Sequence, residues 1–144
     1  DEGNRLKAYF LERIEVLEEK IIEIKQYKET VVKNYKEKLM ERLDKIRGTI
    51  DFKEEDILKE ILIFTDKSDI SEEISRLDSH MEQLRKEMES KDTAVGKKMD
   101  FILQEIFREL NTTGVKCNLY DISKLIVECK NELEKIREQA MNIE

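Results

Sequence analysis

The chain has 144 residues, a formal net charge of −7, and no proline. Only 6% of its residues are aromatic and four are glycine, which is too few for the turns and pleated surfaces of a sandwich, a barrel or a wound α/β sheet. Charged residues reach 42%, a composition typical of long helices and coiled coils. The acidic balance also argues against strong nucleic-acid binding by this chain alone, although a local basic rim is compatible with it.

The first element is predicted to be a very long helix over residues 1–50, with a linking or oligomerisation role. No glycine or proline interrupts the chain between Leu6 and Arg47, and apolar residues recur at helical spacing. About 40 helical residues would reach about 60 Å, so this helix should need a partner along much of its length. Gly48 follows, where a helix C-terminal cap prefers glycine.

Residues 51–144 are predicted to form a helical bundle. Asp51 is expected to cap the next helix, with Glu54 three residues on completing a capping box. A helix is expected to restart at Ser68 or Asp69, because acidic residues follow, as helix first turns prefer. The apolar positions that come next form a heptad seam about three heptads long. Its members are Ile70, Ile74, Leu77, Met81, Leu84 and Met88.

Two more helices are predicted after a polar loop at residues 89–92. The third covers roughly Val95 to Thr112 and ends at a Thr-Thr-Gly run, with Gly114 at or near a left-handed position. The fourth carries an apolar stripe from Ile122 to Ile143. The predicted fold is all-α, with one very long N-terminal helix plus an antiparallel helical bundle with coiled-coil-like seams. The third helix is expected to bury Met99, Ile102, Leu103, Ile106 and Leu110.

Other features of the sequence limit the ligands and partners that we expect for this chain. Cys117 and Cys129 have no metal-ligand spacing, so we interpret them as reduced core residues. The chain contains no apolar run long enough for a membrane span and no signal-peptide pattern, so we expect no membrane partner. No P-loop or GxGxxG pattern occurs, so we expect no nucleotide cofactor. Because the first residue is Asp1, we expect a piece of a longer chain.

Two polar stripes flank the predicted apolar faces. If they converge on one groove, carboxylates with an imidazole suit Mg²⁺ or Mn²⁺, and such an ion can activate water and stabilise a phosphoryl transition state. The alternative is the ordinary charge pattern beside a coiled-coil seam, which forms solvated ion pairs. One stripe consists of Asp69, Glu73, Arg76 and His80, and the other of Glu105 and Glu109.

Three stretches carry long, specific motifs: DKSDISEEISRLDSHMEQLRK at residues 66–86, VGKKMDFILQEIFRELNTTGVKCN at 95–118, and LIVECKNELEKIREQAMNIE at 125–144. They resemble the C-terminal half of the YicC/YloC family. The resemblance implies a cytoplasmic bacterial endoribonuclease that hydrolyses RNA phosphodiester bonds with a divalent metal, Mn²⁺ or Mg²⁺. It also implies a separate N-terminal domain, absent from this chain, and ring-like homo-oligomers, with a hexamer expected.

The family motif includes both polar stripes, and this overlap leads to a site hypothesis. Glu73, His80, Glu105 and Glu109 are predicted to hold the divalent ion. His80, Glu105 and Glu109 are the predicted catalytic residues. His80 is alternatively a general acid or base, because imidazole groups exchange protons near neutral pH.

Cations near the stripes are predicted to bind RNA phosphates. Arg76 and Arg108 are expected to act as planar forks, with Lys116 as a weaker contact, although each alone reads as an ordinary surface cation. The alternative function is a non-catalytic oligomerisation or RNA-adaptor module, in which the stripes are interface ion pairs. The chain departs from the family pattern by being more apolar at Phe107, Leu110 and Val115.

Overall fold

The structure is a computed structural model that describes residues 2–89, 95–117 and 119–141. Within these ranges the chain forms α1 (Glu2–Ile46), α2 (Glu54–Lys67), α3 (Ser71–Glu89), α4 (Val95–Lys116) and α5 (Tyr120–Met141). The described residues contain no strand, so the predicted all-α fold with a very long first helix is confirmed. None of the helices in these ranges is both long and apolar enough to cross a lipid bilayer.

The first half of α1 forms a four-helix bundle with α3, α4 and α5. Ion pairs from Arg13 to Glu132 (3.1 Å) and from Lys20 to Glu128 (2.9 Å) show that α1 and α5 run antiparallel, because the partner number falls as the α1 number rises. In the same way α3 runs antiparallel to α1 and to α4, and α4 to α5. The predicted antiparallel bundle is therefore confirmed.

The core lies between these four helices. The heptad seam of α3 is buried from Ile70 to Leu84, with Met88 partly buried at its end. All five apolar positions predicted for the helix that starts near Val95, which is α4 of the structure, are also buried. Cys117 and Cys129 are buried free thiols, as predicted. From α1 the core takes Phe10, Ile14, Leu17, Ile21, Ile24 and Val31.

The second half of α1 packs along α2 at the edge of the main core, against which Phe64 of α2 also packs. No residue of α2 is fully buried, and the contact centres on the stacked rings of Tyr35 and Phe64, whose centroids are 3.7 Å apart. Gly48 follows the helix with a φ of 94°, a left-handed conformation that favours glycine, so its predicted place after the helix end is confirmed.

The expected capping role of Asp51 is wrong. The residue before α2 is Lys53, in an extended conformation and without a side-chain capping hydrogen bond. The three acidic residues of the first turn interact favourably with the helix dipole in place of a cap. The helix start predicted at Ser68 or Asp69 lies close to the observed start of α3 at Ser71. The Asp69 carboxylate accepts hydrogen bonds from the backbone N–H and the hydroxyl of Ser71.

The expected stop at Thr112-Thr113-Gly114 is also wrong, because α4 continues to Lys116. Gly114 has no positive φ, and the hydroxyls of Thr112 and Thr113 donate to the carbonyls of Arg108 and Glu109 within the helix. These bonds satisfy the hydroxyl groups without breaking the helix. The predicted polar loop at 89–92 begins where α3 ends, but residues 90–94 lie outside the described residues, as do residues 142–144 of the predicted last stripe.

Candidate functional site

The two polar stripes predicted from the sequence meet along the α3/α4 interface. Arg76 Nε of α3 lies 2.7 Å from Glu109 Oε1 of α4, and Lys116 Nζ of α4 lies 2.7 Å from Glu73 Oε1 of α3. The antiparallel packing produces both contacts, because residue numbers rise along α3 in the direction in which they fall along α4. We refer to Glu73, Arg76, Glu109 and Lys116 as the α3/α4 cluster.

Glu73 is the most buried charged residue of the cluster. Its side chain is only 2% exposed, so its charge needs compensation inside the protein. Lys116 supplies that compensation by an ion pair with Oε1 of Glu73, and its Nζ also donates to the Asp69 carbonyl at 3.3 Å. The hydrogen bond to Glu73 raises the pKa of Lys116. The second carboxylate oxygen, Oε2, is buried and has no hydrogen-bond partner in the described structure.

Arg76 is held by three carboxylates. Beside the short contact to Glu109, its terminal nitrogens lie 3.4 Å from Glu72 and 3.7 Å from Glu73. The hydrogen bond to Glu109 is the main cause that raises the pKa of Arg76. Glu109 is itself buried, so its pairing with Arg76 satisfies a carboxylate that the fold withdraws from water.

His80 is four residues after Arg76 on α3, and Glu105 is four residues before Glu109 on α4. Because the two helices are antiparallel, both residues lie one helical turn from the Arg76–Glu109 pair, in the same direction. His80 is half-buried, and its Nδ1 is buried without a hydrogen-bond partner in the part of the chain that the structure describes. Glu105 is half-buried and lies 3.5 Å from the guanidinium of Arg108, which is 72% exposed. The predicted catalytic and phosphate-binding residues therefore share one interface.

The four predicted metal ligands do not form a metal-binding group in the part of the chain that the structure describes. No set of three or more His, Cys, Asp or Glu side chains there has a suitable arrangement. Glu73 and Glu109 each already bind a cation of the protein, as the alternative interpretation of the stripes as ion pairs expected, although their partners were not predicted. With Asp69 and Glu72 included, four carboxylates surround Arg76 and Lys116, so the region still carries an excess of negative charge.

Comparisons with known proteins show the family to which the chain belongs. A family model described as "Endoribonuclease YicC-like, C-terminal" matches residues 24–144. The chain belongs to this YicC-like family. A protein named probable endoribonuclease YicC from Clostridioides difficile (strain 630) is 43% identical over 145 residues, which cover 100% of this chain and 49% of the relative.

A second YicC relative lies further away in sequence. The protein named probable endoribonuclease YicC from Haemophilus influenzae (strain ATCC 51907 / DSM 11121 / KW20 / Rd) is 29% identical over 143 residues, covering 99% of this chain and 49% of the relative. The chain therefore spans about half the length of the curated relatives it matches.

A groove that the sequence did not predict lies between α4 and α5 of this YicC-like chain. The groove has a volume of about 140 Å³, and Phe107, Leu103 and Arg137 are among its lining residues. Lys130 Nζ lies 4.9 Å from the centre of the Phe107 ring, a cation–π contact. The signal that could have found it was the apolar departure at Phe107, which is exposed and lines the groove, whereas Leu110 is buried in the core.

Proposed function

We propose that this chain forms part of an endoribonuclease that hydrolyses RNA phosphodiester bonds at the α3/α4 interface. The observation that carries the proposal is the meeting of the two polar stripes through Arg76–Glu109, at positions that match the family motif, with Glu73–Lys116 as a second ion pair beside it. The names of the two relatives, both probable endoribonucleases, support the reaction class.

The side chains of this interface have complementary roles in the proposed reaction. Arg108 is largely exposed and presents a planar guanidinium fork to a phosphate group. Arg76 and Lys116 provide further positive charge, although a phosphate must compete there with the carboxylates that now bind them. His80 exchanges a proton with the substrate as general acid or base, and Glu105 and Glu109 complete the catalytic group.

A divalent ion, Mn²⁺ or Mg²⁺, is a separate proposal. The excess negative charge and the unpartnered Oε2 of Glu73 support a cation in this region. The described carboxylates do not form a ligand set as they stand, so we assign no step of the reaction to the ion. The test is cleavage of a labelled single-stranded RNA by the full-length protein after EDTA treatment and after return of Mn²⁺ or Mg²⁺. Cleavage that is lost with EDTA and restored by either ion supports the proposal, and cleavage unaffected by EDTA contradicts it.

The second candidate function is a non-catalytic oligomerisation or RNA-adaptor module. The ion pairs of Glu73 and Glu109 favour it, because satisfied buried pairs can serve packing alone. Homo-oligomer formation, with a hexamer as the expected state, and a cytoplasmic location belong to both proposals.

A double variant separates the two functions. His80→Ala with Glu105→Gln in the full-length protein should abolish RNA cleavage while leaving the oligomer, measured by light scattering, intact. Neither residue belongs to the short ion pairs of the α3/α4 cluster, so the fold should tolerate both changes. Cleavage that survives the double variant while the oligomer weakens would support the adaptor function instead.

A further inference from the structure

The exposed residues of α4 include no acid, although the chain as a whole carries a net charge of −7. The three carboxylates of α4, on Asp100, Glu105 and Glu109, are all partly or fully buried. In contrast, α3 and α5 both expose carboxylates, for example those of Asp78 and Glu138. The α4 outer face, as described from residue 97 onward, consists of Lys97, Lys98, Phe101, Gln104, Phe107, Arg108, Asn111, Val115 and Lys116.

Phe101 is the most exposed aromatic side chain of this face, at 65%. It borders a depression of about 390 Å³ between α3 and α4, whose wall also includes Gln83, Lys97 and Lys98. This volume lies in the range of sites that bind small organic groups. An exposed ring beside a depression with polar walls offers a flat apolar surface for stacking and hydrogen-bonding groups at its edge.

The same depression contains an acceptor without a donor. Glu87 lines its wall, and the Oε2 atom of Glu87 is buried with no hydrogen-bond partner among the described residues. A buried acceptor left unpaired is costly, so a ligand that brings an N–H group would be stabilised there. Amino groups of nucleobases are donors of this kind, and carboxylates accept from them in known complexes.

The α4 outer face is continuous with the α3/α4 cluster. Lys116 belongs to both, Arg108 directly precedes Glu109 of the cluster in the chain, and the distance along the helix from Lys97 to Lys116 is about 29 Å at 1.5 Å per residue. A strand of RNA lying along this face would therefore reach the proposed cleavage site without leaving α4.

Resting on the proposed ribonuclease function, we propose that the α4 outer face binds single-stranded RNA, with Phe101 stacking on an unpaired base. Lys97 and Arg108 contact the phosphates on either side. Single-stranded RNA is favoured because aromatic stacking needs a base whose face is free, which a duplex does not offer. A second copy of this chain fits less well, because a two-fold interface would bring two basic faces together.

The test measures the affinity of the full-length protein for a fluorescent single-stranded RNA of about 12 nucleotides, and for a duplex of the same length, by anisotropy. Gels confirm that the RNA stays intact. Phe101→Ala should weaken single-strand binding roughly 5- to 150-fold, the equivalent of one base–aromatic stack, and leave duplex binding unchanged. Phe101→Tyr should restore single-strand binding, because it restores the ring. The matched control is Val127→Ala, which shortens a 57% exposed apolar residue on α5 and should have no effect.

Three results would overturn the proposal: no change in single-strand affinity for Phe101→Ala, an equal loss for duplex RNA, or a loss of self-association in place of RNA affinity, which would assign the face to a second copy. A parallel cleavage assay with wild-type protein keeps the two proposals distinguishable. Cleavage together with unchanged binding by Phe101→Ala rejects this inference alone, whereas stacking-dependent binding without any cleavage rejects only the ribonuclease function.

Discussion

Gly114→Ala tests whether α4 really continues to Lys116, and therefore whether Lys116 reaches Glu73. Gly114 has no positive φ, so alanine should gain about 1 kcal/mol of helix propensity there. The added Cβ would lie 3.3 Å from Cδ1 of Ile126, which must retreat by a few tenths of an ångström. Because Cδ1 is the far end of a flexible side chain, we expect a net stabilisation of about 0.5 kcal/mol, or about 1–2 °C in Tm.

Gly48→Ala is the matched change with the opposite sign. Gly48 has a φ of 94° and nothing within 4 Å of an added Cβ, so the only cost is that of the backbone conformation. We expect a loss of about 1 kcal/mol, or about 2–4 °C in Tm. Urea unfolding followed by circular dichroism measures both variants against the wild type.

The two glycine variants together test the backbone conformation at Gly114. If Gly114→Ala destabilises as much as Gly48→Ala, either the contact with Ile126 or a left-handed backbone is responsible. Ile126→Val removes Cδ1, so repeating Gly114→Ala in that background separates the causes. A loss that persists without Cδ1 would mean that α4 ends before Gly114, and it would refute the continuous helix.

Two further predictions concern pH. Burial raises the pKa of Cys129 to about 12, above its ordinary 9.0, so the folded chain holds the thiol proton more tightly and stability should fall as pH rises from about 9 to 12. Urea midpoints should fall more steeply across that window for the wild type than for Cys129→Ala, and equal slopes would contradict the assignment. Hydrogen bonds from Ser71 lower the pKa of Asp69 below 3.8, so its stabilising effect is present above that pH and is lost below it. Midpoints measured in acid should therefore fall further for the wild type than for Asp69→Asn, which cannot titrate, and parallel curves would argue against the effect.

Periodicity predicted the elements whose burial is regular. The seam from Ile70 to Leu84 and the apolar stripe of α1 from Phe10 to Val31 both repeat at helical spacing, and both lie in the core. Such patterns report which face of a helix meets the interior. In α2 the apolar residues Ile57, Ile61 and Phe64 also recur at helical spacing, but they are only partly buried.

Local signals failed where tertiary contacts decide the outcome. Thr113 and Gly114 have weak helix propensity, yet Thr113 is fully buried and Gly114 gives Ile126 room to pack closely. Asp51 had the right residue type for a cap but stands two residues too early. In both cases the packing or the position of the helix start overrides the local preference.

The candidate site was predictable as two stripes but not as a set of pairs. Helical spacing placed Glu73 and Arg76 on one edge of α3, and Glu109 on one edge of α4. Which carboxylate pairs with which cation depends on the register between the two helices. The spacing of residues within one helix carries no information about that register. The pairing of Lys116 with Glu73 depends in addition on the last turn of α4. That turn was not predicted, because the helix was expected to end at Thr112.

The central claim, that RNA is cleaved at the α3/α4 interface, is tested most directly by single-turnover cleavage of a labelled single-stranded RNA. The comparison is Glu105→Gln with Glu134→Gln in the full-length protein, since each removes the charge of a glutamate paired with an arginine three residues on, at 3.5 and 3.7 Å. The account predicts a loss of about a hundredfold or more for Glu105→Gln, a usual effect of removing a catalytic group, and wild-type cleavage for Glu134→Gln. Unchanged cleavage by Glu105→Gln would contradict the claim and leave this chain as the scaffold of a site elsewhere.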